Sequence, residues 1–274
     1  MADYGNVLRN DKAAGAYSVA PDPESKFRII YGRWTVPNPF INVYDEWAED
    51  DGESGGRTCF TWIGLAEGDP NNNGGGIDTI KMLQIGVASE ASWVIKDGFP
   101  GAIEQYNHML FYRWDDGSGP FTPIFGVYVT GGDVISAGIC LASPTLASVY
   151  LVNESRGCAA SFLIDTTFAT FLTPDGKEKT YNLQPNYAGW VVGNGDLYFD
   201  QRVAIPILQK QSFGQPGLVI FDHVLAITDN DVAVPPSMML EIETNPGRFE
   251  GIIWPPVGVE IGPGETLIFC EEAD

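Results

Sequence analysis

An all-β fold is what this sequence predicts, and three observations predict it. Apolar and polar residues alternate in short runs, as at Phe27 to Val36, Val149 to Asn153 and Leu218 to Val224, which is the period of a half-buried strand. Turn clusters rich in Gly, Pro, Asn and Asp separate these runs. No segment sustains a 3.6-residue period with caps at both ends, so helix is limited to short turns. Strands are expected near 27–36, 58–65, 79–95, 106–114, 124–129, 133–142, 146–153, 158–164, 179–183, 187–193, 202–208, 218–228, 238–243 and 266–271.

The punctuation between them follows the same logic. The first strand stops at the Val36-Pro37 turn, and the acidic, Gly-rich excursion Asp45 to Arg57 leads to the second. Asp69 to Gly76 (DPNNNGGG) separates the second from the third, while Asp115 to Pro120 and Thr173 to Lys177 have the composition of hairpin loops. After Asp229 the pairs Pro235-Pro236, Pro246-Gly247, Pro255-Pro256 and Pro263-Gly264 punctuate short apolar pieces. A segment of about 45 residues buries little core alone. Residues 1–228 are therefore expected to form one domain, with 229–274 as a β-rich extension packed on it.

Composition narrows the function classes. Of 274 residues 44% are hydrophobic and 12% aromatic, enough for a packed core. The net charge of -21, from 36 acidic and 15 basic side chains, argues against nucleic acid and against an anionic membrane surface. No apolar run reaches the length that spans a bilayer. Met1 to Asn6 lacks the basic and apolar regions of a signal peptide. Cys59, Cys140, Cys158 and Cys270 are few for this length and leave the redox compartment open. Cys140 and Cys158 lie on consecutive expected strands, where a disulfide and buried free thiols are both compatible with the pattern.

No cofactor motif is present. His108 and His223 are the two histidines, so a multi-His metal site cannot be assembled. His108 has no accompanying Ser or Cys nucleophile motif and reads as an exposed or hydrogen-bonded strand residue. Asp69-x-Asn71-x-Asn73-Gly74 matches the first half of a calcium loop, but Ile80 stands where a bidentate Glu belongs. The expectation is a solvated Asx-turn loop and no metal.

Three segments carry the functional signal in order: Trp34-Thr35-Val36-Pro37, then Trp62-Ile63-Gly64-Leu65 leading to Leu83-Gln84-Ile85-Gly86-Val87, then Ala188-Gly189-Trp190-Val191-Val192. Together they resemble the glutamic peptidases, or eqolisins, acid endopeptidases with a catalytic Gln in an LQxGV strand and a catalytic Glu just before the Trp of an EWxV strand. Gln84 matches the first position, and Gly189 occupies the second. The family's WxGxD pattern places its Asp at Ala66, so two carboxylates are missing together. The resemblance implies a concanavalin-A-like jelly-roll β-sandwich of two antiparallel sheets with a concave cleft, and an extracellular setting.

Peptide hydrolysis by two side chains needs one to activate water and another to stabilise the oxyanion. Without the first, the expectation is a non-catalytic relative that binds a peptide or a carbohydrate in a cleft lined by Trp62, Gln84, Trp93, Tyr112, Trp114 and Trp190. An acid endopeptidase using Gln84 with a relocated carboxylate, Glu67 or Glu90, is the enzyme alternative. Strand alternation turns Glu67 to the opposite face unless a bulge intervenes. A lectin-like or self-assembling protein, including a homo-oligomer, is the third reading.

Overall fold

Burial alternates along the strands as the sequence period requires: Ile30, Gly32 and Trp34 are buried, while Tyr31 and Arg33 between them are not. The computed structural model describes residues 7–10, 13–38, 56–68, 81–96, 99–115, 121–172, 178–194, 211–213, 219–242, 257–262 and 265–270. In chain order the strands are β1 (Val7–Asn10), β2 (Ala13–Val19), β3 (Phe27–Thr35), β4 (Gly56–Glu67), β5 (Lys81–Lys96) and β6 (Phe99–Asp115). Then follow β7 (Thr122–Pro123), β8 (Val134–Ser143), β9 (Leu146–Asn153), β10 (Cys158–Asp165), β11 (Thr170–Leu172) and β12 (Glu178–Thr180). The last are β13 (Tyr187–Asn194), β14 (Gln211–Phe213), β15 (Val219–Thr228), β16 (Met238–Ile242), β17 (Val257–Gly262) and β18 (Glu265–Cys270).

All but β11 and β12, which form their own hairpin, belong to one hydrogen-bonded sheet whose path runs β10-β9-β8-β3-β15-β18-β17-β16-β2-β13-β4-β5-β6-β7, with β1 and β14 attached beside it. The path folds back so that β3 and β8 pack on β4, β5 and β13. These are the two layers of a β-sandwich, antiparallel except where β1 joins β16 and β14 joins β4. The residues after 229 supply β16, β17 and β18, which lie inside the path and connect the layers.

One apolar core fills the space between them. Ile30, Trp34, Ile135, Ile139 and Val149 come from the first layer, and Ile63, Leu83, Ile85, Val87 and Trp190 from the second. Trp190 is fully buried and its indole Nε1 donates to the Tyr31 carbonyl across the gap at 2.9 Å.

Several expectations need correction. Residues 124–129 are not a strand, since only Thr122–Pro123 pairs there with β6. Pro123 has no N–H for a ladder, which confines it to a sheet edge. The strand near 179–183 is reduced to β12 in the separate hairpin. The 202–208 segment lies outside the described residues. Missed altogether are β1, β2, β11, β14 and β17. Of these β2 bears most on function: its Ala, Gly and Ser residues carry little strand propensity, and pairing to β13 and β16 makes it a strand.

Candidate functional site

Directly opposed residues of neighbouring strands point to the same face of a sheet. One such row crosses the second layer: Tyr17 on β2, Gly189 on β13, Gly64 on β4, Gln84 on β5 and Arg113 on β6. Leu83 and Ile85, on either side of Gln84, are fully buried in the core between the layers. Gln84 therefore projects from the other face. There it sits beside a second apolar cluster of Phe60, Trp62, Ala88, Phe111, Phe121 and Val191, with Tyr17 packed against it.

Gln84 is only 4% exposed. Its amide nitrogen donates to Sδ of Met82, two residues away on the same strand. Its Cγ leans over Gly64, where a Cβ would stand 3.3 Å from it. Arg113, on the next strand, holds its guanidinium 5.0 Å from the centroid of the Phe121 ring. Phe121 meets Phe111 edge-on at 4.5 Å between centroids.

Gly189 is covered by a ring. A Cβ built on it would stand 2.5 Å from Cε1 and 2.7 Å from Cδ1 of Tyr17. Separations that short are not tolerated, so the space a side chain at 189 would enter already belongs to Tyr17. Burial pushes the Tyr17 phenol well above its ordinary value. A parallel arrangement exists one row on, where Ala66 and Met82 pack against Tyr187. Among the described side chains of these two rows none is a carboxylate; Asp115, opposite Met82, is described only in its backbone.

The proposed cleft residues divide between the two faces. Trp62 lies on the Gln84 face, opposite Gly86 and Val191. Trp190 and Trp114 belong to the core between the layers, and Tyr112 packs against that core with its ring 5.3 Å from Phe162. These three line no shared groove with Gln84, because each stands an odd number of residues from the positions that face it. Trp93 pairs with Glu104, and its side chain lies outside the described residues.

Neither alternative carboxylate reaches Gln84. The β4–β5 register is unbroken, so no bulge turns Glu67 round; its oxygens engage Lys81 Nζ at 3.4 Å and the backbone N–H of Gln184 at 2.9 Å. Glu90 shares the Gln84 face but stands six residues along β5, roughly 20 Å away. Burial pushes the Glu90 carboxyl up to about 7, against a weak opposing hydrogen bond from Asn107 at 3.4 Å. A pKa raised in the folded state contributes stability below the unfolded value that is lost as pH rises through the folded one. Glu90→Gln should thus leave stability unchanged at pH 4 and raise it at pH 8, by about 2 kcal/mol once the shift is discounted for partial solvent screening, as read from denaturant unfolding at both pH values; a gain of equal size at pH 4 would contradict the assignment.

On the inner side of the same hairpin, His108 Nδ1 lies 3.0 Å from Oγ of the fully buried Ser89. Burial lowers the imidazole to about 4, outweighing the opposing influence of Asp133. His108 is thus a neutral, half-buried strand residue. Among the described residues no group of three or more His, Cys, Asp or Glu side chains is placed to hold a metal, and the Asp69 to Gly74 tract lies outside them. Cys140 and Cys158 are free thiols rather than a disulfide, and Cys59 is buried.

Sequence reasoning missed Tyr17, Phe60, Phe111, Phe121 and Val191 as neighbours of Gln84. The alternation in Met109 to Trp114 did separate Phe111 and Arg113 from Tyr112 and Trp114. Which set joins Gln84 depends on the register between β5 and β6, and the intervening turn does not announce it.

Comparison with known proteins agrees with this architecture. The family described as Peptidase A4 matches residues 11–246. The fold is similar to that of scytalido-glutamic peptidase, solved with a peptide-based transition state analog, at a TM-score of 0.58 and 14% identity over 96% of this chain and 99% of that one. It is also similar to SCP-B, a member of the eqolisin family solved with the tripeptide Ala-Ile-His, at a TM-score of 0.55 and 13% identity over 96% and 99% of the two chains. At these identities the likeness is one of fold. No curated protein sequence matches the chain.

Proposed function

From the premise that this chain belongs to the Peptidase A4 family, the glutamic peptidases, we propose that it is a non-hydrolytic member whose Gln84 face binds an extended peptide without cutting it. The observation that carries the reading is the Tyr17 ring standing over Gly189, at the position the family fills with its catalytic Glu. Tyr187 packed against Ala66 repeats the exchange at the second acidic position. Loss of a general base alone costs about 10²–10⁴-fold in rate, and here rings also fill the space a replacement would need.

Binding is supported by what remains. The Gln84 amide donates to a thioether, a weak acceptor, so exchanging that bond for one to a peptide carbonyl sacrifices little. Trp62, 7% exposed, gives an apolar contact with few rotatable bonds to freeze, held in place by the buried Phe60, Phe111 and Phe121 behind it. The two solved relatives described above hold peptide ligands.

The test is incubation with a denatured protein across acid to neutral pH, beside calorimetric titration with extended apolar peptides. No cleavage above blank is expected, with peptide binding weakened by Gln84→Ala and by Trp62→Ala. Cleavage that Gln84→Ala abolishes would defeat the non-hydrolytic reading, and absence of any peptide binding would defeat the binding one.

A further inference from the structure

A second organised surface lies on the outer side of the first layer, away from Gln84. Tyr31, Gly138 and Tyr150 stand opposite one another on β3, β8 and β9. Because Gly138 has no side chain, the Tyr150 ring lies flat on the sheet; a Cβ at 138 would come within 2.3 Å of its Cε1. The Tyr31 ring runs beside it, 6.3 Å between centroids and 22° from parallel. Tyr150 remains 39% exposed and Leu225, opposite Tyr31, 41%.

The next row supplies polar groups at about 6.5 Å, two residues along the strands. Arg33 Nε lies 3.1 Å from a Glu154 oxygen, and its NH1 lies 3.2 Å from an Asp222 oxygen. The Tyr31 hydroxyl donates to Ser136 Oγ at 3.2 Å, and Ser136 donates onward to Glu154. Beside Asp222 the β15–β3 ladder shifts register, and His223 takes a φ of 52° with its Nδ1 3.1 Å from Asp222 Oδ1. Left-handed backbone at a non-glycine residue is strained and concentrates at ligand sites, and bulges re-aim side chains there.

A flat aromatic surface edged by carboxylates, a guanidinium and a hydroxyl matches a ligand with an apolar face and a rim of hydroxyls. A pyranose ring has that form: its C–H face lies on the ring while its hydroxyls donate to Asp222 and Glu154 and accept from Arg33. Stacked nucleotides would bring phosphates toward carboxylates on a chain of net charge -21. We propose that this outer face is a binding site for a neutral saccharide, with Tyr150 as the stacking platform and Asp222, Glu154 and Arg33 as hydroxyl partners. It is independent of the peptide reading of the Gln84 face.

Calorimetric titration with neutral hexasaccharides of glucose, mannose, xylose and N-acetylglucosamine tests it. Saturable binding of at least one is expected, about tenfold or more weaker in Tyr150→Ala and in Asp222→Asn and retained within about threefold by Tyr150→Phe. Gly138→Val, which lifts the ring off the sheet, should also abolish binding, and Phe168→Ser, on an exposed loop, should not affect it. Melting curves confirm that each variant is folded. Absence of binding to every sugar, or equal affinity in Tyr150→Ala and Asp222→Asn, would overturn the proposal. So would a dimer of the parent protein that Tyr150→Ala dissociates, since the face would then be an interface between copies.

Discussion

Gly189→Glu is expected to yield a protein less stable by about 4 kcal/mol or more, and no better at hydrolysis than its parent. Two effects combine. The new Cβ alone would stand 2.5 Å from the Tyr17 ring, and overpacking of this kind costs about 1–3 kcal/mol. The carboxylate would then sit in an apolar cluster with no cation beside it in its row except Arg113, three strands further on, and the effective penalty for such burial is several kcal/mol. Desolvation would raise its pKa, so the deficit should grow as pH rises and shrink in acid. Tyr17→Ala removes the obstructing ring, and the double variant should lose less than the sum of the two singles, by about 1 kcal/mol or more of coupling. Denaturant unfolding of the four proteins at pH 4 and pH 7 reads this directly. A Gly189→Glu protein as stable as its parent and active in acid would mean that Tyr17 yields easily and that the base alone had been lost.

Asp133→Ala should destabilise by about 1–3 kcal/mol, for a different reason: it removes the acceptor shared by several donors around a largely buried carboxylate, although its ion-pair partner Arg156 is exposed. Asp133 Oδ2 accepts from Arg156 Nε at 2.6 Å, Asn153 Nδ2 at 2.8 Å and the Thr130 N–H at 2.9 Å. Asn153 is fully buried and also donates to the Tyr128 carbonyl, while the Arg156 guanidinium lies 4.8 Å from the Tyr128 ring centroid. Without the carboxylate, donors from three residues lose their shared acceptor. Burial alone would raise the Asp133 pKa, but these hydrogen bonds hold it down at about 2. A depressed carboxylate contributes stability that is present above its unfolded value, near 3.8, and is lost as pH falls through the folded one. The gap in melting temperature between parent and variant should thus persist at pH 4 and close only on approach to pH 2. If it has already closed at pH 4, the hydrogen-bond account is wrong.

The sandwich was legible because its strands carry the period-2 pattern: Phe27 to Val36, Val149 to Asn153 and Leu218 to Val224 all lie on strands or within a residue of them. Lone strands of small residues were not, as β2 shows, since pairing rather than composition makes them. At the site, Gln84 and the vacancies at Ala66 and Gly189 could be read from motif order. Their consequence could not. Tyr17 is 172 positions from Gly189, in a stretch with no motif, and only the β2–β13 register brings the two together. The aromatic cleft failed at Trp190, Trp114 and Tyr112 because the aromatic residues of a strand divide between two faces, and composition does not say which face they take.

The unbroken path of hydrogen bonds has a bearing on how this polypeptide reaches its native state. β3 pairs with β15, and β2 with both β13 and β16, so partners lie about 170 to 225 positions apart. Contacts at such separation make loop closure the dominant entropic barrier, and folds built from them acquire structure in milliseconds to seconds rather than microseconds. During synthesis β1 and β2 must wait, unpaired, until β13 and β16 have left the ribosome. Their scarcity of bulky apolar side chains, with Ala13, Ala14, Gly15, Ala16 and Ser18 in β2, makes the nascent segment a poor nucleus for aggregation during that interval.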